Sequence, residues 1–111
     1  MTCTQSFPLP AGSFTVTRGD AWRQEFIFQT ADETPLDLVD AGWQFWRSWI
    51  DGTPLDVDDS RAQEGVITLS MPESTSRNAK AGPFDMESVH PDLGTRTWIR
   101  GVFRFNEDVT K

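Results

Sequence analysis

The sequence predicts an all-β fold, a single antiparallel sandwich or barrel of about seven strands. Three observations predict it. Short stretches alternate apolar and polar residues at a period of two, as in Phe14-Thr15-Val16-Thr17 and Val66-Ile67-Thr68-Leu69-Ser70-Met71. Turn formers recur at a spacing of roughly ten residues, with no helical pattern of useful length between them. The 8 Phe and 5 Trp, with no Tyr, supply large apolar groups suited to a sheet core or an interface. A chain of 111 residues fits one domain with one core.

Residues 1–12 carry Pro8, Pro10 and Gly12, which break helix and ladder pairing alike. They are expected to form an extended N-terminal arm, anchored by Phe7 and Leu9, ahead of a sandwich domain over 13–111. The first strand ends at the turn Arg18-Gly19-Asp20, and Trp22, Gln24, Phe26 and Phe28 share one face of the second. Residues 32–42 combine turn formers with a proline and read as loop. A central strand from Trp43 to Ile50 closes on Asp51-Gly52, a strong hairpin signal. Leu55 to Asp58 and Val66 to Met71 give two more strands, and Pro72 to Lys80 can form one helical turn. Strands at Phe84 to Val89 and Thr97 to Phe105 complete the set. In the last, Ile99, Phe103 and Phe105 face inward, with Gly101 where a ring or backbone approaches closely.

The net charge of −7 disfavours nucleic acid as a partner, and apolar runs this short do not cross a bilayer. The N-terminus lacks the basic and apolar regions of a secretory signal, so synthesis and assembly in the cytoplasm are expected. One cysteine, Cys3, and one histidine, His90, leave no disulfide or zinc framework. No cofactor or metal is expected: Asp51, Asp56, Asp58 and Asp59 lack the ligand ladder of a calcium loop and read as a solvated rim. Arg18-Gly19-Asp20 matches the integrin-binding tripeptide but reads as an ordinary turn. Asp85 and Glu87 share a strand face at a spacing compatible with acid–base work, yet read as a polar exterior. Neither a triad around His90 nor a Gly-rich phosphate loop is indicated, so no enzyme is expected.

Period-two alternation places Trp43, Phe45, Arg47 and Trp49 on one face of the central strand, and Trp46 and Ile50 on the other. Both faces are apolar. For a small chain this suggests that one face packs inside while the other, with Trp46 and Ile50 as anchors, meets another subunit.

The order of Arg18-Gly19-Asp20, Trp22, Pro35-Leu36-Asp37-Leu38, Gly65-Val66-Ile67-Thr68-Leu69, Ser74 to Ala79, Gly82-Pro83-Phe84-Asp85 and Gly101-Val102-Phe103 resembles small bacteriophage tail- and baseplate-associated proteins, in particular N-terminal domains of baseplate upper proteins. The resemblance covers nearly the whole chain. It implies an immunoglobulin-like or related β-sandwich in multiple copies of a symmetric assembly, docking on other virion structural proteins without catalytic residues. Trp46 and Ile50 stand where the family pattern is polar. The expected function is a virion assembly or adaptor module at the tail, baseplate or fibre attachment. The alternatives are a capsid decoration protein and a carbohydrate-binding module, since exposed tryptophans stack on sugar rings.

Overall fold

The computed structural model describes residues 9–30 and 32–106. Its strands are β1 (Leu9–Thr17), β2 (Trp22–Ile27), β3 (Gln44–Ile50), β4 (Thr53–Asp58), β5 (Val66–Met71), β6 (Gly82–His90) and β7 (Gly94–Asn106). A 3-10 turn at Ala62–Glu64 precedes β5, and a short helix, α1 (Glu73–Asn78), follows it. The all-β expectation is met.

The strands form one sheet in the order β1-β7-β6-β3-β4-β5-β2. It is mixed, not purely antiparallel as expected, because β1 runs parallel to β7. That pairing joins the first and last strands, which no local pattern encodes. It begins at Leu9 opposite Ile99, so residues 9–12, expected in the arm, belong to the strand. Pro10 and Gly12 are accommodated at an irregularity on this edge, where a missing N–H costs least.

The sheet curls at β4. Thr53, Pro54 and Leu55 pair with β3, whereas Asp56, Val57 and Asp58 pair with β5. The curl brings β2 over β1 and β7: Trp22 meets Phe14 at 5.3 Å and Phe103 at 4.7 Å between ring centroids. Phe84 and Phe14 complete this aromatic cluster. Gly101 is required beneath it, since a Cβ there would lie 2.6 Å from the Gly12 carbonyl oxygen and would also strike the Phe84 ring. A second cluster forms at the end where β2 leaves and β3 and β7 begin. Trp98 meets Phe28 at 5.3 Å, Trp43 at 5.1 Å and Trp46 at 5.4 Å.

Two bulges decide which residues enter the core. On β3 the register jumps between Gln44, opposite Val89, and Arg47, opposite Glu87, so this strand holds one extra residue. Phe45 absorbs it at φ 58, a left-handed conformation uncommon for an aromatic residue. The insertion lets Trp43 and Trp46 both point inward. On β7 the register moves from Thr97 to Ile99 across adjacent residues of β6, so Trp98 and Ile99 are both buried.

The Arg-Gly-Asp turn is structural. Gly19 occupies its third position at φ 93, and Asp20 N–H donates to the Thr17 carbonyl. The Arg18 guanidinium donates to the carbonyls of Ser76, Arg77 and Ala79 at the end of α1, the shortest at 2.8 Å. It also lies 4.7 Å from the centre of the Phe105 ring. Charge-assisted bonds to otherwise unsatisfied helix carbonyls are worth about 1.5–3 kcal/mol. Arg18→Ala is accordingly expected to lower stability by that amount in denaturant unfolding, whereas Asp20→Ala, at an exposed position, should change it little.

Candidate binding surface

Interface residues were expected on the Trp46 and Ile50 face. That face is internal. Ile50 is 0 % exposed, and Trp46 packs against the same core beside Phe28 and Trp98. The Trp46 indole nitrogen is enclosed without a hydrogen-bond partner. Alternation runs unbroken from Phe45 to Ile50, but the Phe45 bulge breaks its link to Trp43, so inside and outside are the reverse of those that alternation predicts. Phe45, Arg47 and Trp49 face outward, with Trp49 half-buried. Of the other two candidates, Phe7 lies outside the described residues, and Leu9 is the first residue of β1.

A different apolar surface occupies one end of the molecule. The chain between β2 and β3 presents Val39 at 57 % exposure, the start of β3 presents Phe45 at 68 %, and the β6–β7 turn presents Leu93 at 67 %. His90 ties these segments together. Its Nδ1 accepts the N–H groups of Asp92 and Leu93 at 3.0 and 3.1 Å, which leaves the proton on Nε2 to donate to the Ala41 carbonyl at 3.0 Å. A Cβ on Gly42, at φ 94, would lie 2.8 Å from that Nε2. The sole histidine is thus a brace between two loops.

The support beneath is rigid. Leu38 is buried inside the loop and donates its N–H to Ala62, while its carbonyl accepts from Trp43. Trp43 packs edge-on against both His90 and Trp98, and the Arg96 guanidinium lies over both indoles at 4.8 and 5.1 Å. Trp98 Nε1 donates to Ser88 Oγ at 2.7 Å, satisfying its buried polar atom. Exposed Asp37, Asp40 and Asp92 sit on the same two loops, so the apolar tip carries an acidic rim.

On the outer face of β3, β6 and β7 the polar side chains stand in register. Arg47 and Glu87 form an ion pair at 2.6 Å. One row further, Trp49 is opposite Asp85 and Asp85 opposite Arg100. Partial burial, and then the nearby Glu87 carboxylate, raise the pKa of Asp85, while Arg100 acts against them. Asp51, Asp56, Asp58 and Asp59 do not converge: among the described residues no three His, Cys, Asp or Glu are placed to hold a metal ion. Asp58 instead accepts from the Ser60 side chain and then from its N–H, which lower its pKa. No protein-family model matches the sequence, and no curated protein is significantly similar to it.

Proposed function

We propose that this chain is an immunoglobulin-like β-sandwich serving as a binding and assembly module of a bacteriophage particle, at the tail, baseplate or fibre attachment, and not an enzyme. The strand order supports the fold reading. β2 pairs with β5 as B pairs with E in such domains, β3-β6-β7 follow as C, F and G, and β4 passes from one layer to the other. In that scheme the β2–β3 loop and the β6–β7 turn lie at the end that immunoglobulin variable domains use for recognition. The sequence resemblance supplies the phage context.

The observation that carries the binding reading is the exposure of Val39, Phe45 and Leu93 at one braced end. A large aromatic held outward on a strained bulge is costly to keep, and such strain concentrates at binding sites. The acidic rim suits a virion neighbour with a basic surface around an apolar pocket, which would guide encounter while the apolar centre sets affinity.

Phe45→Asn tests this together with Leu93→Ser. Asparagine tolerates the left-handed conformation, so the melting temperature of the double variant should be unchanged or slightly raised. Incorporation into particles should nevertheless fall by about tenfold or more, the loss expected when an interface centre is removed. Normal incorporation of a well-folded double variant would refute the role of this end. Electron microscopy of intact particles would then place the chain at tail, baseplate or head.

A further inference from the structure

We propose that the outer face of β3, β6 and β7 holds a second binding site, a cleft walled by Trp49 and flanked by Asp85 and Arg100, that takes a neutral, hydroxyl-rich saccharide. It lies toward the opposite end of β3 from the apolar tip. Trp49 is four positions along the strand from Phe45, about 13 Å at the usual rise. The inference therefore does not depend on the assembly role.

The cleft has a volume of about 440 Å³ and is lined by Trp49, Asp51, Pro83, Phe84, Asp85 and Arg100, with Gly52 and Gly101. On its other side Trp49 borders a second hollow of about 490 Å³ with Pro54 and Asp56. Trp49 thus lines both depressions. A partly exposed tryptophan beside a depression offers an apolar, electron-rich face on which the C–H face of a sugar ring can lie.

The polar groups complete the match. Trp49, Asp85 and Arg100 stand in register on three adjacent strands, so an aromatic platform, an acceptor and a donor span about 10 Å. Asp85 and Arg100 influence each other electrostatically, yet they are not closed into an ion pair, unlike Arg47 and Glu87 one row away. A ligand between them must donate to a carboxylate and accept from a guanidinium at the same time. Neighbouring hydroxyls do both. An ionised phosphate or carboxylate group has no proton to donate to Asp85 and would meet Asp51 and the net charge of −7 as well.

The indole and the strand beside it are pre-positioned. Ser48 Oγ on the inner face donates to the Asp85 carbonyl, fixing the backbone of β6 against β3 at this row. The Arg47 guanidinium lies 5.7 Å from the Trp49 ring centre while it also holds Glu87, which steadies the indole. Pre-positioned aromatic and polar groups lose little freedom on binding.

The test uses the full chain with short gluco-, galacto-, manno- and chito-oligosaccharides as probes and hyaluronan oligosaccharides as the anionic counterpart. Binding is followed by tryptophan fluorescence and by the indole N–H resonance of Trp49. At least one neutral probe should shift that resonance, and hyaluronan should not. Trp49→Ala and Arg100→Ala should each weaken binding by about tenfold or more, with melting temperatures close to the parent because both side chains face outward. Phe45→Asn should leave sugar binding unchanged while reducing incorporation into particles. If no neutral probe binds, if binding survives Trp49→Ala, or if only the anionic probe binds, the proposal is overturned.

Discussion

Replacing Phe103 by alanine is expected to destabilise the fold by about 3–5 kcal/mol, read from the midpoint of urea or thermal unfolding. Phe103 is 0 % exposed and contacts the rings of Phe14, Trp22, Phe84 and Phe105. These rings come from β1, β2 and β6 as well as β7, so Phe103 fills the space created when the sheet curls. Neighbours on four strands cannot all relax into one vacated volume, which favours the upper part of that range. Total stability for a domain of this size is about 5–15 kcal/mol, so the variant should melt far earlier or fail to accumulate. A cost below roughly 1 kcal/mol would mean that β2 does not close over β7.

The last strand was legible because its pattern is local and strict. Ile99, Phe103 and Phe105 face the core, and Gly101 stands where the Phe84 ring needs room, as the sequence suggested. The Asp51-Gly52 hairpin was equally clear: both residues have positive φ, 42 and 86, as a type I′ turn requires. Its tight closure also fixed the pairing of β3 with β4. Helix α1 falls within the segment whose caps indicated one helical turn.

Other features depend on partners far away in the chain. The parallel contact of β1 with β7 leaves no trace in either segment's alternation, because both read as ordinary half-buried strands. Leu38 lies in a segment that its turn-forming neighbours mark as loop, and nothing in them signals that it is 1 % exposed and plugs the end of the core. A bulge is harder still, since one extra residue inverts the two faces without altering composition. That is how Phe45, which alternation places on one face with Trp43, is among the most exposed apolar side chains while Trp43 is buried. Of the exposed apolar residues at this end only Phe45 is masked by the reversal, since Val39 and Leu93 lie in segments that read as loop and turn.

The bulge also sets what happens when Trp46 and Ile50 are both replaced by serine. Were these residues on an outer face, the double variant would keep its melting transition and lose only assembly. With Ile50 at 0 % exposure and Trp46 packed on Phe28 and Trp98, the isolated domain should unfold instead. Ile50 lies on the inner face beside Ser48, opposite Phe84 on β6 and Thr53 on β4. Truncating it removes a buried aliphatic group, at about 2–5 kcal/mol, and leaves a hydroxyl enclosed among apolar atoms, at a further 1–3 kcal/mol. Loss of the Trp46 ring removes one support of the aromatic cluster beneath the loop end, and the freed volume adjoins Trp98. The summed loss reaches the whole stability of a small domain, so the far-ultraviolet signature of a folded sheet should be absent or collapse at low denaturant. Phe45→Asn, only one residue from Trp46 but facing the opposite way, should stay folded. A stable Trp46→Ser/Ile50→Ser variant would show that Phe45 and Trp46 exchange places, and would return the interface to the face first deduced from alternation alone.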